Sequence, residues 1–118
     1  MNAKDLLGRQ GEQVAADYLR KAGLAILDRN WRCSQGEIDI VAADGPALVV
    51  CEVKTRSGVR LGTPLEAVTR QKAWRQRRLA VLWLHDHNVL YDEIRIDVVG
   101  VLRLASGEFK IEHVRGVG

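Results

Sequence analysis

The sequence predicts an α/β domain in which two helices cover a mixed β-sheet. Three observations lead to this class: two long stretches have helical spacing of apolar residues, five shorter stretches have strand character, and one helical stretch lies between the third and fourth strands. Strands joined through a helix most simply lie parallel. The 118 residues, 47% of them hydrophobic, suffice for one domain over residues 1–118.

The first helix is predicted over residues 4–21. Leu7, Val14 and Leu19 recur there at helical spacing, and Gly23 follows as a C-terminal stop signal.

Three strands are predicted next, over residues 25–33, 37–43 and 48–56. The third begins with an almost continuous apolar run, which is typical of a strand buried on both faces. Asp44-Gly45, between the second and third strands, is a hairpin turn signal.

A second helix is predicted after a loop over residues 57–62. Thr63 is suited to the N-cap, Pro64 to the first helical position, and Glu66 completes a capping box. We expect this helix to run to about Asp86.

Two further strands are predicted over residues 93–102 and 108–114, joined by a tight turn at Ala105-Ser106-Gly107. The element order is therefore αβββαββ. Asp97, in the fourth strand, is expected to support Arg95, Lys54 or the sheet edge.

Composition narrows the function classes. No apolar run approaches the roughly 18 residues that span a bilayer. Cys33 and Cys51, the two cysteines of the chain, have neither a metal-site spacing nor the pattern of a disulfide framework. These features predict a cytoplasmic protein, and the net charge of +3 permits a polyanionic partner.

Strand periodicity predicts a cluster of charged side chains. Glu52 and Lys54 are two residues apart and therefore share one face of the third strand. With Asp44-Gly45 as the two turn residues, the hairpin register pairs Asp39 with Val50 and makes Glu52 its diagonal neighbour. Asp39, Glu52 and Lys54 are then expected to converge.

Such a cluster suits a hard divalent cation, because Mg²⁺ and Mn²⁺ take carboxylate and carbonyl oxygens as ligands. Asp39 and Glu52 supply carboxylates, the Val53 carbonyl adds a third oxygen, and Lys54 is placed to orient or help deprotonate an attacking water. The alternative is a solvated salt-bridge patch. The apolar run before Glu52 favours the functional interpretation, because a charge in a central strand is costly unless it is paired or metal-bound.

Asp39, followed after 12 residues by Glu52-Val53-Lys54, resembles the PD-(D/E)xK signature of restriction-endonuclease-like nucleases, with Ile38 standing where the signature has proline. Nearly the whole chain resembles the bacterial YraN-type family, which is grouped with archaeal Holliday junction resolvases. The segments that carry this resemblance are Gly8-Arg9-Gln10-Gly11-Glu12, Gly36-Glu37-Ile38-Asp39, Glu52-Val53-Lys54-Thr55-Arg56 and Arg95-Ile96-Asp97.

The resemblance implies a three-layer α/β/α fold of the restriction-endonuclease-like type. It also implies a metal-dependent endonuclease that hydrolyses phosphodiester bonds in DNA, branched or single-stranded, with Mg²⁺ or Mn²⁺ as cofactor. By the same resemblance Glu12, on the first helix, joins the metal site. A junction substrate would favour a homodimer that presents two sites.

Basic residues provide candidate nucleic-acid contacts. Arg56 extends the third strand, and Arg60 lies in the loop that follows. Arg70 and Lys72 belong to a strongly basic stretch of the second helix, where they could neutralise phosphates. Trp74, interleaved with these cations, is expected in the core, with stacking on an unpaired base as the alternative.

Two other functions remain open from the residues alone. One is a nucleic-acid-binding module of the same fold that does not cleave. The other is a protein-interaction domain that uses Trp74 or Trp83 as an exposed anchor.

Overall fold

A computed structural model describes residues 1–58 and 69–117 of the chain. The elements follow the predicted order, and except at the start of α2 their ends lie within one residue of those expected from the sequence. They are α1 (Ala3–Lys21), β1 (Ala25–Cys33), β2 (Gly36–Asp44), β3 (Ala47–Ser57), α2 (Arg70–His87), β4 (Glu93–Arg103) and β5 (Phe109–Val114).

α2 begins at Arg70, so the prediction of one continuous helix from Thr63 is wrong, because Thr69 has an extended backbone. Thr69 is its N-cap, and the Thr69 side chain accepts a hydrogen bond of 3.1 Å from the backbone N–H of Lys72. The helix start expected at Thr63, with Pro64 and Glu66, lies outside the described residues, and so does Arg60.

The sheet has the strand order β1-β2-β3-β4-β5. β3 and β4 are parallel, as predicted for strands connected through a helix, and the other neighbouring strands are antiparallel. β3 is the central strand and is fully buried from Ala47 to Cys51.

The two helices cover opposite faces of the sheet, which confirms the three-layer α/β/α arrangement. Successive residues of β3 point to alternate faces, so the strand contributes to both cores. On one face α1 packs through Ala15, Ala16 and Leu19 against Val49 and Cys51. On the other face α2 packs through Leu79, Ala80 and Trp83 against Leu48 and Val50.

The predicted β2–β3 register is wrong by two residues. Val50 pairs with Val41, not with Asp39, because Gly45 and Pro46 form the two-residue turn and Asp44 remains in the strand, paired with Ala47. Gly45 adopts a positive φ of 57°, as this turn requires. Continued by one residue beyond its last pair, the observed register brings Asp39 level with Glu52.

A buried polar network ties the strands together at the end of β2. Arg95 donates two hydrogen bonds to the fully buried Asp97, at 3.0 and 3.1 Å, and a third of 2.9 Å to Asp44. His113 Nε2 lies 2.8 Å from Asp97, and the Gly116 N–H donates to the same carboxylate. Burial raises the pKa of Asp97, but these hydrogen bonds together outweigh burial and hold the pKa below its ordinary value. Asp97 therefore supports Arg95, one of the roles expected for it.

In the described ranges, neither helix combines the length and the apolar character needed to cross a membrane.

Close contact between α1 and β3 depends on a glycine. A Cβ atom at Gly11 would overlap the side chain of Thr55, so only glycine lets the helix lie this close to the strand. A Cβ at Gly8, one turn earlier in the helix, would meet no heavy atom within 4 Å.

We expect Gly11→Ala to lower the free energy of unfolding by about 1 to 3 kcal/mol, because the stiff Thr55 side chain cannot move aside without a backbone shift. Gly8→Ala is the matched control. It should leave stability unchanged or raise it by up to about 1 kcal/mol through helix propensity. Urea denaturation of both variants measures the difference, and equal effects at the two positions would contradict this account of the α1–β3 contact.

Candidate active site

The site lies where the β2–β3 ladder ends. The last residues paired across these strands are Ile40 and Cys51. Beyond them the Asp39 carboxylate accepts a hydrogen bond of 2.8 Å from the backbone N–H of Val53. The Asp39 side chain thus takes the place of a backbone acceptor at the next position of the ladder. This hydrogen bond holds the carboxylate between the two strands.

Glu52 and Lys54 follow immediately after the buried run of β3. Lys54 Nζ lies 3.3 Å from Glu52 Oε1, and the two side chains are 31% and 20% exposed, respectively. The contact shows that the side chains share one face, as the period of two predicted. Their partial exposure leaves both groups accessible to a ligand.

Glu12 reaches the same region from α1. Its neighbour Gly11 is packed against Thr55 of β3, and Glu12 itself is half-buried. The negative charge of Glu12 acts on Asp39 and raises the pKa of Asp39. Glu12 therefore lies near enough to Asp39 of β2 for its charge to act on that carboxylate.

The electrostatics of Asp39 are unfavourable for its charged form. Burial raises the pKa of Asp39 from 3.8 to about 6; the Val53 N–H opposes this rise, while the charges of Glu12, Glu52 and Glu37 add to it. A cation bound among these carboxylates would favour the ionised form.

Sequence reasoning missed the contribution of Glu37. This residue is exposed, forms an ion pair of 3.1 Å with Arg32, and adds negative potential at Asp39. It lies two residues before Asp39 in β2, so the strand period of two was the signal that could have identified it.

The donor set fits a hard divalent cation. Asp39, Glu52 and Glu12 offer carboxylate oxygens, and the Val53 carbonyl is the further donor expected from the sequence. Within residues 1–58 and 69–117, no three His, Cys, Asp or Glu side chains are close enough to form a metal site as they stand. Mg²⁺ keeps several water ligands and commonly takes one or two protein carboxylates, so the oxygen donors remain compatible with it.

The candidate phosphate contacts that the structure describes are exposed. Arg56 is exposed two residues beyond Lys54 in β3. Arg70 and Lys72 are exposed in the first turn of α2. Arg60 lies outside the described residues.

The expectation that Trp74 belongs to the core is wrong. Trp74 is 60% exposed, whereas Trp83 is 4% exposed. The residues that α2 buries against the sheet are Ala73, Leu79, Ala80 and Trp83, and Trp74 lies outside that face.

Fold and site together define a three-layer α/β/α domain with a cluster of carboxylates and one lysine at the open end of its central hairpin. Residues 11–101 match the family described as "Uncharacterised protein family UPF0102", and the chain belongs to that family. The expected similarity to YraN-type proteins is thereby confirmed.

The relatives are similar over their full length. A UPF0102 protein of Arthrobacter sp. (strain FB24) is 55% identical over 118 residues, 100% of both chains. One of Beutenbergia cavernae is 54% identical with the same coverage. One of Frankia alni is 55% identical over 116 residues, which are 98% of this chain and 97% of the relative.

Replacement of Asp39 should alter the pH dependence of stability in metal-free buffer. Because the folded protein holds the Asp39 proton up to about pH 6 and the unfolded chain releases it near 3.8, wild-type stability should fall as pH rises through this window. Asp39→Asn removes this titration. The free energy of unfolding of the variant, relative to that of the wild type, should therefore increase between pH 4 and pH 7, by at most about 3 kcal/mol.

Denaturation curves at pH 4, 5, 6 and 7 with EDTA test this expectation. Asp92→Asn, which removes an exposed carboxylate outside the site, is the control and should follow the wild-type pH dependence. If the free energies of unfolding of Asp39→Asn and the wild type changed in parallel with pH, the charge of Asp39 would not destabilise the folded protein.

Proposed function

We propose that this protein is a metal-dependent endonuclease that hydrolyses phosphodiester bonds in branched or single-stranded DNA. The observation that supports this function best is the Asp39 carboxylate, which is fixed on the Val53 N–H where β2 and β3 part. Burial, with a further contribution from the charges of nearby carboxylates, raises its pKa to about 6. A carboxylate with a raised pKa, close to other acidic side chains and a lysine, suits phosphodiester hydrolysis better than a purely structural role.

Mg²⁺ or Mn²⁺ is the proposed cofactor, held by Asp39, Glu52, Glu12 and the Val53 carbonyl. When bound, such a cation supplies positive charge at the scissile phosphate and lowers the pKa of a bound water. The Val53 N–H keeps Asp39 oriented, and the half-buried Glu52 positions the ammonium group of Lys54 at 3.3 Å.

Lys54 is the proposed third catalytic residue beside Asp39 and Glu52. Its ammonium group can donate hydrogen bonds to the attacking water and to a phosphate oxygen, and its positive charge offsets the charge that develops during hydrolysis. Because Lys54 is about one-third exposed, substrate can reach it without a rearrangement of the core.

Substrate binding is proposed to rely on exposed cations. Arg56 follows the catalytic residues along β3, and Arg70 and Lys72 begin the described part of α2. Arg60 completes the set from the segment outside the described residues. Contacts of this kind bind the phosphate backbone without reading its sequence.

A homodimer and a cytoplasmic location belong to the same proposal. Two copies would present two sites to a junction, whose resolution needs two cuts. Cys33 and Cys51 are both free thiols, which fits a reducing compartment.

A nucleic-acid-binding module that does not cleave is the second candidate. One observation favours it: among the described residues, the acidic side chains are not close enough to form a metal site without rearrangement. Salt-sensitive DNA binding without hydrolysis would identify this function.

Cleavage of labelled junction, flap, single-stranded and duplex DNA with Mg²⁺ or Mn²⁺ tests the proposal. We expect Asp39→Asn, Glu52→Gln and Lys54→Met each to lower the rate by about 100-fold or more, because each removes a group assigned to the chemical step. Glu112→Gln, an exposed change on β5, should cleave as the wild type does. Equal rates in all variants, or cleavage that persists in EDTA, would refute these roles.

Cation binding should also be visible without substrate. A cation that binds only the folded state adds about 2.7 kcal/mol of stability at 100 times its Kd, so Mg²⁺ or Mn²⁺ should raise the wild-type melting temperature by several degrees. Glu52→Gln, which loses one proposed ligand, should show a clearly smaller rise. The same increase in both proteins would place any bound cation elsewhere.

A further inference from the structure

An exposed aromatic ring lies on α2 beside a cation. Trp74 is 60% exposed, and the guanidinium carbon of Arg78, one turn later, lies 5.4 Å from the centre of its ring. The ring makes no contribution to the buried face of the helix. A large aromatic surface held beside an arginine therefore faces solvent.

This ring belongs to a shallow groove between α2 and the turn that joins β1 to β2. Arg78 Nη2 donates a hydrogen bond of 3.0 Å to Gln35 Oε1 in that turn, which fixes the guanidinium. The groove has a volume of about 220 Å³, and its lining residues are Gln35, Gln71, Trp74, Arg75, Arg78 and Leu79.

The groove borders the candidate active site. Gly36, next to Gln35, packs against Leu79 of α2, where a Cβ atom would lie 3.3 Å from a Leu79 methyl carbon. Asp39 follows three residues later in β2, about 10 Å along the strand at about 3.3 Å per residue. That length corresponds to about three stacked bases at about 3.4 Å each.

We propose that Trp74 and Arg78 form a stacking platform for an unpaired base of a single-stranded polynucleotide, beside the Asp39 site. The platform rests on the proposed function, because it would hold the strand that this site cleaves. Every base has a π-face, so stacking on Trp74 would be tolerant of sequence.

Charge complementarity favours this occupant over a protein partner. Both ionisable groups that line the groove, Arg75 and Arg78, are cations, and a polynucleotide carries a negative charge at each nucleotide. The amides of Gln35 and Gln71 offer donors and acceptors to base edges. Trp74 is the one large apolar surface exposed here, because Leu79 is buried.

Binding of a labelled oligodeoxythymidine in EDTA, measured by fluorescence anisotropy, tests the platform without cleavage. We expect Trp74→Ala to weaken binding about fivefold or more, Trp74→Phe to retain most of the affinity, and blunt duplex to be little affected by either change. Val81→Ala, at an exposed position two turns further along α2, is the control and should bind as the wild type does.

Tryptophan fluorescence provides a readout that a structural role would not affect. A base stacked on Trp74 should quench its emission. Trp74→Phe, which keeps Trp31 and Trp83, should bind the oligonucleotide without that quenching. Binding of an oligouridine, compared with that of the oligodeoxythymidine, distinguishes RNA from DNA. A preference for either polynucleotide supports the platform, since bases of both can stack on Trp74.

Three results would overturn the platform: wild-type affinity in Trp74→Ala, no binding of oligonucleotide by the wild type at low salt, or a change of oligomeric state in Trp74→Ala with unchanged affinity. Cleavage assays on the same proteins separate the two proposals. Trp74-dependent binding without cleavage would support the platform and refute the nuclease. Cleavage that is unaffected by Trp74→Ala would support the nuclease and refute the platform.

Discussion

Burial of β3 on both faces is the constraint on which the rest of the structure depends. A strand between two helical layers cannot carry charge where both layers cover it, because an unpaired buried charge is too costly. Ala47 to Cys51 are accordingly apolar and fully buried, and Glu52 is the first charged residue of the strand. The charged residues of β3 are therefore confined to the part of the strand beyond the buried core, where its ladder with β2 ends.

Two aspartates show how environment separates a structural carboxylate from a candidate catalytic one. Asp97 is fully buried, but Arg95, His113 and the Gly116 N–H satisfy its oxygens, so its pKa is lowered. Burial raises the pKa of Asp39, because its carboxylate receives only one hydrogen bond within the described part of the chain, from Val53, and the charges of nearby carboxylates add to the rise. The first arrangement stabilises the fold as it stands, whereas the second would be stabilised by a bound cation.

The turn between β2 and β3 is connected to the Asp97 network through Asp44. Asp44 stays in β2, where it pairs with Ala47, and its carboxylate accepts a hydrogen bond from Arg95, which Asp97 holds in turn. The turn is thereby shifted to Gly45 and Pro46, and with it the register that brings Asp39 level with Glu52. The Arg95–Asp97 network thus contacts Asp44 beside the turn and extends along β4 to Asp97, which pairs with Cys51, the residue before Glu52.

The sequence by itself determined the element order, the parallel β3–β4 pair and the shared face of Glu52 and Lys54. These features follow from backbone periodicity and local capping or turn signals, which nearby residues specify. Only the tertiary structure decided the β2–β3 register and the exposure of Trp74. It also decided the partner of His113, which lies diagonal to Asp97 because it pairs with Val99. Each of these depends on contacts between residues far apart in the chain, and local patterns do not encode which distant side chains will meet.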